Sequence, residues 1–268
     1  MKEIPVLLYQ NIGHYPAEAM EDGLQPEPFK RQMSFLSENG YNVVSLSRAL
    51  DHLTGRIKLP PKSIAITIDG GYRDAYTNVF PVLKSHNFHA TFFIIPEYIG
   101  GERMIGGISI PCLSWNEVHE IAKNGMGIGL LAYRGRGIKN QYDEKSIKEN
   151  VFSSSKIIEK EFNSDIEFCA FREGVPETPL WDFLRVQGFQ AVFTQCPTNR
   201  RLSLAGIGRI QIDDDDHNIF LTKISKTYLF FKDKRSWKYI RQYKIDRLAH
   251  RISETIDGIK LHSSLKKL

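Results

Sequence analysis

Residues 64–72 have the sequence IAITIDGGY, in which a hydrophobic run changes abruptly to a carboxylate and two glycines. The first half is rich in β-branched residues and predicts a buried strand. Asp69 follows at the carboxyl end of that strand, and the glycines allow a sharp turn or a close approach of the backbone to a ligand. A lone acid before a glycine-rich turn is a common site layout in α/β proteins. Asp-Gly-Gly is also ordinary turn chemistry, so the stretch alone leaves both interpretations open.

Helix and strand signals alternate on both sides of this stretch, which predicts parallel strands joined by helices. Phe29–Asn39 has one hydrophobic helical face, Gly100–Gly107 is expected to be a loop, and Ser146 with Glu149 predicts a capping box at the start of a helix over 146–162. The 268 residues, 41% hydrophobic and 25% charged, are typical of one soluble domain over 1–268. The other predicted strands are 4–9, 41–45, 90–95, 126–131, 167–171 and 191–194.

Thr67–Tyr72 resembles the Thr-Phe-Asp-Asp-Gly-Tyr motif of the polysaccharide deacetylases, the NodB-homology or carbohydrate esterase 4-like family. The similarity continues in Pro81–Lys84 and Ala90–Ile94, and Trp115–Gly125 looks like the helix before the family's histidine motif. It is clear over roughly residues 4 to 135. The resemblance implies an α/β fold, a distorted and incomplete (β/α)7 TIM-like barrel, with its site at the carboxyl ends of the strands.

The resemblance also implies a divalent metal, zinc or a similar ion, held by the second Asp of that motif and by two histidines of a His-x-x-x-His motif. Gly70 stands here in place of the second Asp, and Leu131 and Gly135 stand in place of the two histidines. None of these three side chains carries a donor atom, so the metal would lose its protein ligands. We therefore expect no metal cofactor and a degenerate family member.

Several other positions are candidates for the site. Asp69 keeps the position of the family's catalytic base, and Arg172 replaces the proline of its Tyr-Pro-x-Gly segment and is a second catalytic candidate. His262 is the nearest match to the family's Leu-x-His general acid, although it lies at the tail of a predicted helix. We expect Tyr9, Asp69, Tyr72, Trp115 and Arg172 to line one pocket. The residues expected to bind substrate are Tyr9, Gln10, Tyr72, Trp115 and Arg209.

Positive charge is concentrated near the carboxyl terminus, within a basic, aromatic segment over 223–268. Lys223–Arg251 contains ten Lys or Arg and two Asp, a charge of +8, whereas the whole chain carries +5. Aromatic residues are interleaved with the charges, a pattern that fits an anionic membrane surface or a lipid-linked glycan. A helix with a solvated basic face and aromatics packed inward gives the same pattern. No nucleic-acid motif accompanies the charge, so we do not expect nucleic acid as a partner.

Two functions remain open. The first is a polysaccharide deacetylase-like pseudoenzyme of surface-polysaccharide metabolism that binds a sugar or glycan. The second is an active carbohydrate deacetylase, a hydrolase of C–N bonds other than peptide bonds, that uses Asp69 with an atypical metal or none. The sequence shows no secretory signal and no stretch long enough to cross a bilayer, which predicts a cytoplasmic protein that could lie at the inner membrane face. A chain from which an export signal had been removed would look the same. The sugar, its linkage and the oligomeric state stay open.

Overall fold

The computed structural model describes residues 4–20, 22–132, 144–172, 178–195, 204–213 and 216–225. The chain divides into two units, residues 1–213 and 214–268. The described part of the second unit contains helix α7, His217–Ile224, which begins where the Asp216 carboxylate accepts a hydrogen bond from the Asn218 amide at 2.7 Å. The expectation of a single domain over 1–268 stays a prediction.

A mostly parallel sheet forms the centre of the first unit. In the described part of the chain it has nine strands: β1 Val6–Tyr9, β2 Asn42–Val44, β3 Ser63–Asp69, β4 Thr91–Ile94, β7 Gly127–Ala132, β8 Phe168–Phe171, β9 Ala191–Thr194, β10 Ile207–Gly208 and β11 Ile210–Gln211. Their order in the sheet is β10-β9-β8-β7-β4-β3-β1-β11, with β2 paired to β3. β3 is the predicted strand of the IAITID run, and six of its seven residues are buried.

The two ends of this sheet are joined by one short segment. β10 pairs with β9, β11 pairs with β1, and a single residue, Arg209, separates β10 from β11. The Arg209 amide donates to the Thr194 carbonyl and the Ile212 amide donates to the Leu8 carbonyl, both at 2.9 Å. The sheet therefore forms a nearly closed barrel, and the predicted (β/α)7 fold is confirmed.

Helices alternate with these strands. The first helix, α1 (Pro26–Glu38), buries Phe29, Met33 and Leu36 on one face, as the sequence predicts. The prediction of a capping box at Ser146 is wrong, because the chain is already helical from Glu144. A capping box is found instead at Ser114. No helix in the described ranges is long and apolar enough to cross a membrane. The helices are α1 Pro26–Glu38, α2 Leu46–Leu53, α3 Phe80–Ser85, α4 Trp115–Lys123, α5 Glu144–Phe162 and α6 Thr178–Val186, with a π-helical turn at Ala75–Val79 and 3-10 turns at Ala17–Ala19 and Pro96–Tyr98.

The segment expected as a glycine-rich loop contains an antiparallel hairpin. β5, Glu102–Ile105, pairs with β6, Ile108–Pro111, around a two-residue turn of Gly106 and Gly107. Both glycines have positive φ, +55° and +81°, as a type I′ hairpin turn requires. The prediction was wrong because it treated the glycines as loop composition rather than as the centre of a hairpin.

Candidate functional site

A pocket lies at the carboxyl ends of the barrel strands, where the fold predicts a site. Its walls come from residues at or just beyond the ends of β1, β3, β7 and β8 and from the β5–β6 hairpin. The lining side chains include Gln10, Asp69, Tyr72, Arg103, Ala132 and Arg172, next to Gly70 and Leu131.

The floor of the pocket is a buried ion pair between Asp69 and Arg209. Arg209 donates from Nη1 to Oδ1 at 2.6 Å and from Nη2 to Oδ2 at 2.7 Å, the two-point geometry that suits a planar guanidinium. The Arg209 side chain is fully buried, and Asp69 is 6% exposed. A carboxylate at this depth is stabilised because the fixed positive charge beside it offsets the cost of removing it from water.

The neighbouring strands hold Arg209 in place. Its Nη1 also contacts Thr67 Oγ1 at 3.3 Å, and the Thr67 hydroxyl donates to the Leu7 carbonyl at 2.7 Å. The guanidinium lies 5.3 Å from the centroid of the Phe93 ring, a cation–π distance. Among the described residues, its Nε atom has no hydrogen-bond partner. Three strands thus fix the position of one cation under Asp69.

Two opposing effects set the ionisation of Asp69. Burial is the larger one and raises the pKa of this carboxyl above its ordinary value, whereas the charge and hydrogen bonds of Arg209 and the charge of Arg172 lower it. Both oxygens accept from Arg209. The group can accept a further hydrogen bond from a ligand hydroxyl, but it is placed as a partner of Arg209 rather than as an isolated base.

Gly70 and Leu131, the two described residues at positions that align with metal ligands, carry no donor group in their side chains. Gly70 has φ of +111°, and a Cβ added there would lie 2.3 Å from Cε2 of Tyr72, so an L side chain would meet both backbone strain and a ring. Leu131 is 7% exposed and belongs to a core cluster with Phe93 and Ala170. Within the described ranges no three His, Cys, Asp or Glu side chains are grouped as a metal site requires. Gly70 and Leu131 thus supply no side-chain ligand for the family metal, and the absence of a metal cofactor stays a prediction.

Arg103, on strand β5, forms one wall of the pocket, and the sequence analysis missed it. Its guanidinium carbon lies 5.1 Å from the ring centroid of Tyr72 and 5.1 Å from that of Tyr98, and the residue is only 7% exposed. Stacking against two tyrosines limits the directions in which the guanidinium can point. The glycine pair at the hairpin turn was the signal that could have revealed this strand.

Arg172 also lines the pocket and pairs with Asp22. Its Nη2 contacts Asp22 Oδ2. Asp22 Oδ1 accepts from Nε2 of Gln211 at 2.8 Å, and Gln211 accepts in turn from Gln195. The chain of polar contacts joins the loop before α1 to the ends of β9 and β11. Arg172 is therefore held at the pocket, 30% exposed in its side chain.

Two predicted site residues, Tyr9 and Trp115, do not line the pocket, and a third, Arg209, lies in its floor instead of facing a ligand. Tyr9 does not line it, because alternation along β1 directs its ring towards α1, where the hydroxyl donates to Gln32 at 2.8 Å; Gln10 lines the pocket instead. Trp115 lies in the first turn of α4, its ring centroid 6.4 Å from that of His119. Arg209 lies beneath Asp69 and holds it. The described residues do not include Gly135 or His262. They include only residues 223–225 of the basic segment.

Comparison with protein families gives a match to the model described as "Polysaccharide deacetylase" over residues 56–192, which is half of the chain. The chain is 29% identical to YxkH of Bacillus subtilis (strain 168) over 126 residues, 47% of this chain and 41% of that protein. It is 24% identical to the poly-beta-1,6-N-acetyl-D-glucosamine N-deacetylase of Escherichia coli (strain K12) over 125 residues, 43% of this chain and 18% of that enzyme. The matches thus span less than half of these relatives.

Solved structures confirm the fold. IcaB from Ammonifex degensii superposes with a TM-score of 0.71 at 23% identity, and the match covers 87% of this chain and 98% of that one. At this level of identity the likeness concerns architecture alone. The family match over half the chain carries the assignment: this chain belongs to the polysaccharide deacetylase family.

Proposed function

We propose that this protein binds a surface-polysaccharide glycan in the pocket above Asp69 and does not hydrolyse it by the metal chemistry of its family. Relatives that match the chain are named as deacetylases of poly-beta-1,6-N-acetyl-D-glucosamine, which suggests a glycan of amino sugars as the ligand class. One observation carries the proposal. Gly70 and Leu131 stand at positions that align with the family's metal ligands, and Asp69 beside them is held in an ion pair by Arg209.

The side chains that remain suit binding. Gln10 and Tyr72 offer an amide and a ring, Arg103 and Arg172 offer donors, and Asp69 offers an acceptor. A glycan site needs a few convergent polar groups on an apolar wall, and Leu131 and Ala132 supply such a wall.

The metal and the reaction are tested together. We would measure the zinc content of the purified native chain and its release of acetate from acetylated β-1,6-glucosamine oligomers, with and without added zinc. We expect far less than one zinc per chain and no release above background, with the E. coli deacetylase as the positive control. About one zinc per chain, removable by a chelator together with activity, would overturn the proposal.

Glycan binding is tested by calorimetry with the same oligomers. Gln10→Ala should weaken binding, because it removes a polar side chain from the pocket wall. Gln190→Ala is the matched control: Gln190 is exposed and precedes β9, at the amino end of a barrel strand. Absence of binding by the native chain, or equal losses in the two variants, would contradict the proposed site.

A further inference from the structure

The loop between β1 and α1 contains a strap, defined here as residues 12–20 and 22–24. Its two ends are held together, because Ile12 and Leu24 form a bridge and the Leu24 amide donates to the Asn11 carbonyl at 3.0 Å. Asn11 also fills the interior, where its Nδ2 donates to a carbonyl of the strap at 2.7 Å. A loop that is closed and packed on itself in this way, an Ω-loop, moves as one piece and is frequently functional.

The strap contacts two parts of the pocket that are distant in the sequence. Asp22 pairs with Arg172, which lines the pocket just beyond the end of β8. The Glu18 carbonyl lies so close to Gly106, at the turn of the β5–β6 hairpin, that a Cβ added at Gly106 would overlap it. This hairpin carries Arg103, another residue of the pocket lining. A displacement of the strap would therefore change the support of the pocket on two sides.

One buried carboxylate attaches the strap to the barrel. Asp74 Oδ2 accepts from the Ile12 amide at 2.8 Å, and the Tyr15 phenol of the strap interacts with the same carboxylate. Asn78 donates to the Ile12 carbonyl at 2.7 Å. Asp74 is 5% exposed, and its Oδ1 has no hydrogen-bond partner among the described residues. A buried carboxylate with one oxygen unsatisfied favours the protonated form, and it ionises at its ordinary pH only when water reaches it.

The side chains that interact electrostatically with Asp74 keep their charge near neutrality. They are two phenols and a thiol, those of Tyr15, Tyr72 and Cys112. Burial raises the pKa of all three groups, to about 11 for Cys112, so they are uncharged below pH 8. Charged side chains act in turn on members of this trio, namely Arg103, Arg172 and Glu102. Asp74 is thus the group through which pH acts on the attachment of the strap.

We propose that the strap is a pH-sensitive restraint on the pocket, which holds Arg172 and the hairpin in place in acid and releases them as pH rises to neutrality. The packed strap favours the neutral carboxyl of Asp74, whereas displacement of the strap admits water and favours the ionised form. The equilibrium constant for opening should therefore rise about tenfold per pH unit from about pH 4 to about pH 7 and stay level above that. The inference goes beyond the proposed function, and its first test needs no ligand.

Hydrogen exchange of the full chain measures the opening directly. The Gly23 and Leu24 amides follow Asp22 and donate to backbone carbonyls at 2.9 and 3.0 Å. Their protection factors should fall about tenfold per pH unit between pH 5 and 7 and stay level at higher pH. The Phe88 amide, which is bonded at 2.9 Å outside the strap, is the internal control and should keep its protection. Constant protection in the strap, or a parallel fall at Phe88, would overturn the proposal.

Two variants separate the attachment of the strap from its contact with the pocket. Asp74→Asn removes the titrating group and nearly keeps its shape, so protection at Leu24 should no longer depend on pH. Asp22→Asn weakens the contact with the pocket and should lower this protection by a similar factor at each pH. His14→Gln is the control, because His14 is an exposed strap residue 3.8 Å from Glu27 and histidine ordinarily titrates in this range. Loss of the pH dependence in His14→Gln, or its persistence in Asp74→Asn, would contradict the proposal.

A ligand measurement tests the link between the strap and the pocket, and this part rests on the proposed function. The native chain should bind acetylated β-1,6-glucosamine oligomers more weakly at pH 8 than at pH 5.5, because only molecules with the strap in place hold Arg172 and the hairpin ready for a ligand. Asp74→Asn should bind them equally at both pH values. Equal affinities in the native chain would overturn the link to the pocket. Absence of binding at either pH would remove the proposed function, whereas the exchange experiment would still decide whether the strap opens.

Discussion

Asp69 and Asp74 lie five residues apart and are both buried, yet their surroundings differ. Asp69, at the end of β3, is bonded at both oxygens by a guanidinium. Asp74, just before the π-helical turn, accepts from the Ile12 amide at 2.8 Å, and its Oδ1 finds no partner in the described part of the chain. Burial raises the pKa of Asp74 to about 7, against the lowering effects of the Ile12 amide, the Tyr15 hydroxyl and the Ala75 amide.

The difference shows that burial alone does not decide the state of an acid. A permanent cation keeps Asp69 paired whatever the pH near neutrality, whereas neutral donors leave Asp74 free to gain a proton within the physiological range. Asp69 therefore takes part in the chemistry of the pocket, whereas Asp74 helps to attach the loop that carries Asp22. Asn78 supports the same loop by donating to the Ile12 carbonyl at 2.7 Å.

The largest effect is expected from removing the cation beneath Asp69. Arg209→Met leaves an uncompensated buried carboxylate and should cost about 3–5 kcal/mol of unfolding free energy at pH 7, measured by urea denaturation. Without its partner Asp69 has a higher pKa in the native state, so the loss should grow as pH rises and shrink in acid.

A double variant isolates the ion pair from the packing. Asp69→Asn with Arg209→Met leaves no unpaired charge and should recover much of the loss, because replacing both partners avoids the buried charge. A cost below about 1 kcal/mol for Arg209→Met alone would show that water or another group compensates Asp69.

The second prediction concerns the pH dependence that Asp74 introduces. Its pKa is raised from 3.8 to about 7, so the native state binds this proton more tightly than the unfolded state does. The stability that results is present in acid and is lost as pH rises towards 7. Each pKa unit is worth about 1.4 kcal/mol. Asp74→Asn should therefore gain stability relative to the parent as pH rises from about 4 to about 7, with no further gain above that. Asp182→Asn, an exposed acid on α6, should show no such trend; a parallel trend in both variants would refute the assignment.

The turn between the two acids gives a third test. Gly70→Ala should cost about 1–3 kcal/mol, because φ of +111° strains any L residue and the new Cβ meets the Tyr72 ring. In a Tyr72→Ala background the ring contact is gone and only the backbone strain should remain, so the added cost should fall. Gly107→Ala is the control, with φ of +81° and open space around its Cβ position. Thermal melts of the parent and the four variants, Gly70→Ala, Tyr72→Ala, their combination and Gly107→Ala, would show whether the turn is held by the ring.

The smallest effect is expected at the phenol beside Asp74. The Tyr15 hydroxyl lowers the pKa of Asp74, so Tyr15→Phe should raise the midpoint of its titration and cost about 1 kcal/mol above that midpoint. Tyr76→Phe removes a hydroxyl that donates to Glu120 at the surface and should leave the titration unchanged. The carboxyl resonance of Asp74, followed by NMR against pH, is the direct measurement; an unmoved midpoint would exclude the phenol as a partner.

The barrel and the placement of Asp69 and Arg172 at one edge of it could be predicted from the sequence, but the ion pair at the pocket floor and the wall formed by Arg103 could not. Alternating strands and helices predict the parallel sheet, and the strand-end rule places Asp69 and Arg172 at one edge of it. The pairing of Arg209 with Asp69 joins residues 140 positions apart, which no local pattern reveals. Arg103 was missed because its strand is short and was taken for loop, and Tyr9 was misplaced because one residue of register along β1 decides which side chain meets the pocket.

Arg209, the single residue between β10 and β11, takes part in the pocket, and its position also bears on self-association of the protein. The backbone of Arg209 lies where the two outer strands of the barrel meet, and its side chain covers Asp69. Parting those strands would expose two sheet edges, which are templates for pairing with other chains. It would also strip a buried carboxylate of its cation, and this cost opposes the opening. We therefore expect variants of Arg209 to lose solubility as well as stability.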